Sequence, residues 1–175
     1  MSSAPHAVAL RRRALVCFVG CGLAMLVVGG LSLLVEAPLL FPAIGASAFL
    51  VFNAPTSPLA SPKHVVVGHL IGASVGLACA AAFGVAAHVP WLSTAEPWRA
   101  TVSASLALAL TAPAMTLTRS AHPPAGATTL IFATGLMGGP ADFGAVLASA
   151  VALTTFGHAV HRLSRDPYPR WSPQL

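Results

Sequence analysis

Apolar residues run along this chain in six long blocks broken only by isolated charges. In order, the charged positions are Arg11–Arg13, Glu36, Lys63, Glu96, Arg99, Arg119, Asp142, Arg162, Arg165, Asp166 and Arg170. Between them lie the uncharged stretches 14–35, 37–62, 64–95, 100–118, 120–141 and 143–161, the shortest of 19 residues. A helix needs about 20 apolar residues to cross the hydrocarbon core of a bilayer. Backbone facing lipid at that depth must satisfy its own hydrogen bonds. The pattern predicts an all-α, polytopic helical membrane protein. Its parts are an N-terminal segment 1–13, a transmembrane domain 14–162 and a tail 163–175.

Two topologies compete. If all six stretches cross, eight of the nine basic residues share a side with both termini and only Arg99 lies opposite, with Glu36, Glu96 and Asp142. If 37–62 and 120–141 only dip in and return, the split is seven to two. Both place the termini in the cytoplasm by the positive-inside rule; six crossings are favoured.

The third stretch carries Gly68, Gly72 and Gly76 at four-residue spacing, a pattern that lets two helices approach closely. The partner helix can belong to the same chain or to a second copy, so a homo-oligomer stays open.

A short motif recurs. Pro42-Ala43-Ile44-Gly45-Ala46-Ser47 and Pro123-Pro124-Ala125-Gly126-Ala127-Thr128 both read P-x-x-G-A-[ST] and continue apolar. Each sits in the middle stretch of its half, and the order of charges flips between the halves. The reading is two inverted three-segment repeats, about 14–88 and 99–162, with broken or short middle helices, an arrangement recurrent in transporters. Proline suits the first turn of a helix, where the leading N–H groups lack intrahelical partners and the dipole favours an anion. Pro42, Gly45, Ala46 and Ser47, with Pro123, Pro124, Gly126, Ala127 and Thr128, are therefore expected to line an anion site. His122 and Arg119 stand at its mouth.

Composition narrows the function. Hydrophobic residues make up 56% of the chain and charged residues 7%, against about 25% charged in a soluble domain. The formal net charge of +5 reads as orientation charge rather than a nucleic-acid face. The three cysteines, Cys17, Cys21 and Cys79, lie in apolar runs without a CxxC, which indicates neither disulfides nor a zinc site. Arg11–Arg13 before an apolar run imitate a signal sequence, but the run continues to Val35 and reads as a retained first helix. His64, His88, His158 and His161 fall near span ends, where interfacial exposure accounts for them. His158 and His161 share a helix face, yet no further metal ligand is near. His69 lies deeper and is expected to pack against another helix. There is no phosphate-binding loop, no hydrolase motif and no carboxylate pair within a span, so no enzyme, cofactor or metal is expected.

The stretch Arg119-Ser120-Ala121-His122-Pro123-Pro124-Ala125-Gly126-Ala127-Thr128 resembles the signature of the HPP family of bacterial and plastid integral membrane proteins. Pro42–Ala48, Pro55, Ser57-Pro58, Lys63 and Gly68-His69-Leu70-Ile71-Gly72 fit it too, over roughly residues 10–163. The resemblance implies four transmembrane helices and, from plastid and cyanobacterial relatives, nitrite transport. Some relatives carry a soluble C-terminal domain, for which this chain is too short. The expected function is a transporter or channel for a small inorganic anion, nitrite first, in a bacterial inner membrane. The alternative is a non-transporting subunit that binds a partner through Gly68, Gly72 and Gly76.

Overall fold

The computed structural model describes residues 4–172; residues 1–3 and 173–175 of the terminal segments lie outside it. It contains six α-helices: α1 (Ala4–Val35), α2 (Pro42–Asn53), α3 (Pro62–Ala82), α4 (Pro97–Leu117), α5 (Pro124–Ala133) and α6 (Pro140–Ser164). Five of them open on a proline, whose fixed φ and missing N–H suit the first turn. There is no strand among the described residues. Helix α1 runs without a break through Arg11–Arg13, so the basic cluster belongs to the first helix rather than to a separate leading segment.

Four helices, α1, α3, α4 and α6, are long and apolar enough to cross a membrane; α2 and α5 are shorter. At 12 and 10 residues these two reach only about 18 and 15 Å. The middle helices are short, as expected, and four of the six segments are helices long enough to cross on their own. Even so, all six segments alternate in direction. Arg13 Nε donates to the Asn53 carbonyl at 2.8 Å, Arg12 pairs with Asp166 at 3.0 Å, and the Lys63 N–H donates to the Trp171 carbonyl at 3.0 Å. His64 Nδ1 donates to the Ala121 carbonyl at 2.9 Å. The ends of α2 and α4, the starts of α3 and α5, and both termini therefore share one end of the bundle. At the other end the His88 N–H donates to the Gly135 carbonyl at 2.7 Å, and His88 Nε2 meets Asp142 at 3.2 Å.

The second segment covers its distance by placing an extended stretch before α2. Leu39 packs with Ala145 near the start of α6, while His161 Nε2 near the end of α6 donates to the Val51 carbonyl at 3.1 Å. The extended stretch is tolerated because protein covers it, Leu39 and Phe41 being buried. Each helix of the second half runs opposite to its counterpart in the first.

Helices α3, α5 and the inner face of α2 form the centre. Ile44, Val51, Phe52, Val65 and Phe132 are fully buried there, joined by Leu153 from α6. Helix α1 stays peripheral and exposes Leu15, Phe18, Leu26, Leu33 and Leu34, as expected of a lipid-facing helix. Only 17% of its most apolar window is buried, against 44% for α3.

Glycines set the close packing of α3 on α5. A Cβ on Gly68 would meet His122 Cβ at 2.7 Å, one on Gly72 the Ala125 carbonyl oxygen at 2.6 Å, and one on Gly76 the Thr129 carbonyl oxygen at 2.5 Å. The partner of this glycine face is α5 of the same chain. The alternative that reserves the face for another protein loses its surface.

At the end away from the termini, Asp142 is 5% exposed. Its Oδ2 accepts from the Gly138 N–H at 2.7 Å as well as meeting His88. Asp142→Ala is expected to cost about 2 kcal/mol, the scale of losing hydrogen bonds to a buried charge. Thermal unfolding in detergent measures it; an unchanged midpoint would deny the residue this role.

Candidate functional site

The two P-x-x-G-A-[ST] segments meet through their last residues. Ser47 from α2 and Thr128 from α5 are both fully buried, as are His69 from α3 and His122 from the turn before α5. Ser47 Oγ lies 2.9 Å from His69 Nε2 and 2.8 Å from His122 Nε2. His69 Nδ1 lies 2.7 Å from Thr128 Oγ1, and His122 Nδ1 lies 2.9 Å from the Leu59 carbonyl oxygen. The imidazoles are edge to face at 5.2 Å. Phe41, which precedes Pro42 as His122 precedes Pro123, places its ring 6.1 Å from His69 on another side.

Local sequence explains the placement. Along a helix that begins at proline, the sixth motif residue lies more than a full turn inside and faces the core. The first, fourth and fifth point outward in both copies. Pro42, Ala46, Pro123 and Ala127 are exposed, and Gly45 and Gly126 are half-buried. The glycines of α3 bring α5 close enough for His69 to reach Thr128.

Donor and acceptor rules fix the direction of the chain. A carbonyl only accepts, so a neutral His122 carries its proton on Nδ1 and donates to Leu59. Its Nε2 then accepts the Ser47 O–H. Ser47 Oγ in turn accepts from His69 Nε2–H, and His69 Nδ1 accepts the Thr128 O–H. With both rings neutral, every ring nitrogen has a partner. Ser47 Oγ also lies 3.0 Å from the Ala43 carbonyl oxygen, a second acceptor for its single proton.

Beside this cluster, between α4 and α5, is an open and mostly apolar depression of about 250 Å³, lined by Leu108, Thr111, Met115, His122, Pro123 and Gly126 among others. Thr129 donates to Thr111 at 3.2 Å along its wall. Counting roughly 30 Å³ per water, it has room for a small anion with several waters. A Cβ on Gly126 would meet only Leu108 Cδ1, at 3.5 Å, and one on Gly45 would meet nothing within 4 Å.

The structure divides the expected site set. Ser47, His122 and Thr128 come together in the core, and Gly126, Pro123 and His122 line the cavity. Arg119 is exposed in the turn after α4 with φ 50°. Two expectations are corrected. His122 does not stand at a mouth beside Arg119; it is enclosed. The first N–H groups of α5 are not bare, because Ala125 N–H donates to the His122 carbonyl and Gly126 N–H to the Pro123 carbonyl, each at 2.9 Å. Helix α5 starts at Pro124, with Pro123 already in helical conformation, so these bonds close its first turn.

Sequence reasoning took His69 for a packing residue and left out Thr111. An ionisable side chain in mid-span was a usable signal for His69; Thr111 gave none. Two more histidines differ from their expected interfacial exposure. His64 is 8% exposed and His161 1%. Tyr168 from the tail stacks on His161 at 4.9 Å and donates to the Ala60 carbonyl at 3.0 Å. Burial pushes the Tyr168 phenol above its ordinary value, which keeps it a donor. Among the described residues no group of His, Cys, Asp and Glu is placed to hold a metal ion.

The family model for the HPP transmembrane region matches residues 6–169. The chain belongs to the HPP family. Two transmembrane proteins of Dictyostelium discoideum resemble this HPP chain. One is 40% identical over 55% of the chain and 28% of its own length, and the other 34% identical over 58% and 32%. The chain thus aligns with about a third of the length of these relatives. No solved structure matches.

Proposed function

We propose that this HPP chain is a membrane transporter or channel for a small inorganic anion. Nitrite is the first candidate, on the resemblance described for the sequence, and the bacterial inner membrane with cytoplasmic termini is the setting. The observation that carries the reading is the convergence of two short helices, running in opposite directions, on a buried polar cluster inside an otherwise apolar bundle. Polar groups are costly within a membrane and mark pathways, and broken helices at the interface of opposed halves form transport sites. Support also comes from the cavity beside His122. At the end that carries the termini there is a surface depression of about 390 Å³ lined by His158, Arg162 and Arg170 together with Asp166. Arg162 and Arg170 there, with Asp166 already paired to Arg12, favour anions over cations. In this reading His122 and Thr111 contact the anion, while Ser47, His69 and Thr128 hold the two short helices together.

Gly126→Leu tests the site. The Cβ has room, so the protein is expected to fold, but the longer side chain fills the cavity. Uptake of nitrite into liposomes is expected to fall at least about tenfold, the scale on which obstructing a built site acts. Gly126→Leu protein that is folded and transports like the wild type would remove the cavity from the mechanism.

A further inference from the structure

Building on the anion-transport reading, we infer that His122 binds a proton together with the anion, so that the two cross as a neutral pair. The inference begins with the three neighbours of Ser47 Oγ. In the neutral arrangement its proton goes to His122 Nε2, at 2.8 Å. If a proton from water binds Nε2, that bond reverses. His122 Nε2–H donates to Ser47 Oγ, and the Ser47 proton pivots to the Ala43 carbonyl oxygen at 3.0 Å. The second lone pair of Ser47 Oγ still accepts from His69 Nε2–H, and His122 Nδ1–H still donates to Leu59. Both protonation states of His122 are therefore fully hydrogen-bonded without any heavy atom moving; one N–H bond forms on Nε2 and one O–H bond of the hydronium ion that gives the proton breaks, releasing water. His69 lacks this freedom, because its protonation would take away the acceptor of the Thr128 hydroxyl.

The surroundings supply no counter-charge. From α2 His122 faces the Ser47 hydroxyl, and its own carbonyl accepts from Ala125 at the start of α5. From α3 it faces His69 and His64, whose Nδ1 is occupied by the Ala121 carbonyl. The turn before α3 offers the Leu59 carbonyl, and α4 offers Thr111 across the cavity. Arg119, three residues earlier, is the nearest cationic residue in sequence and is exposed. The acidic residues are engaged elsewhere: Glu96 with Arg99, Asp142 with His88 and Asp166 with Arg12, while Glu36 lies in the turn after α1. A buried cation without an anionic partner is strongly disfavoured. An anion in the cavity that His122 lines supplies that partner. Proton and anion therefore bind cooperatively, and the reciprocity of linkage requires each to strengthen the other equally.

The experiment is nitrogen NMR of the histidine-labelled full chain in lipid nanodiscs, titrated across the range in which histidine changes charge, with and without saturating sodium nitrite. Nitrite binding is measured at both ends of that range. The expected result is a His122 midpoint raised by nitrite, and nitrite bound about tenfold or more tightly at the acidic end. In His122→Asn, which cannot take up a proton, nitrite binding is expected to lose its pH dependence. A His122 that titrates identically with and without nitrite, while nitrite binds equally well at both ends, would overturn the coupling and leave the transport reading standing. Persistence of the pH dependence in folded His122→Asn would overturn the assignment to this residue. Failure of nitrite, nitrate, formate and chloride to bind at all would overturn both readings. The wild-type titration decides the matter even if the variant does not fold.

Discussion

Gly72→Leu is expected to leave almost no folded protein in the membrane. A Cβ at this position would lie 2.6 Å from the Ala125 carbonyl oxygen and 2.9 Å from Thr129 Oγ1. The first of these is backbone and cannot turn aside. Helices α3 and α5 would have to separate, which also breaks the bond between His69 and Thr128. Overpacking costs about 1–3 kcal/mol where neighbours can shift; here a whole helix must move, and the loss is expected at or above the top of that range. Detergent-solubilised, fluorescently tagged protein run on size-exclusion chromatography measures the folded fraction. A sharp wild-type peak for Gly72→Leu would mean that the glycine face does not hold α5. Loss of a complex with the chain still folded would restore the partner-binding alternative. Gly45→Ala, by contrast, places its methyl in open space and is expected to fold and transport normally.

His69→Phe is expected to give the largest loss of function in a folded protein. Phenylalanine keeps the ring volume and the edge contact with Phe41 but makes no hydrogen bond. Ser47 retains His122 and the Ala43 carbonyl as partners. Thr128 loses the acceptor of its hydroxyl, a buried group whose loss of a partner costs roughly 1–3 kcal/mol. The connection between the two motif segments is then cut. Uptake is expected to fall about a hundredfold if the cluster couples the short helices, a factor of roughly 2.7 kcal/mol. Thermal unfolding, run beside the uptake assay, separates the two effects. A large drop in stability with uptake per folded molecule unchanged would make His69 a packing residue.

Much of this architecture is legible in the sequence, for physical reasons. The bilayer forbids unpaired backbone and buried charge, so charged positions separate the six segments, although α3 ends at Ala82 and α5 at Ala133 with no charge beside them. Prolines 42, 62, 97, 124 and 140 mark helix starts. The spacing of Gly68, Gly72 and Gly76 predicts a tight helix contact because only absent side chains permit one, but it does not say which helix makes it. The P-x-x-G-A-[ST] repeat identifies the two short helices, since proline sets where each begins. It leads less well to the site. A helix start seen in sequence exposes N–H donors, whereas here His122 and Pro123 carbonyls already accept from Ala125 and Gly126. What the motif delivers is its last residue, Ser47 or Thr128, turned inward. His69 joins them only through the approach of α3 to α5, a tertiary relation that no local pattern encodes. The burial of His161 under Tyr168 likewise depends on the tail folding back across the end of α6.

The most direct test of the central claim is uptake of nitrite, nitrate, formate and chloride into liposomes holding the purified chain, with protein-free liposomes as background and folded His69→Phe and Gly126→Leu in parallel. The account predicts selective uptake of one small anion by the wild type and its loss in both variants. Folded wild-type protein that moves none of the four, or variants as active as the wild type, would contradict it.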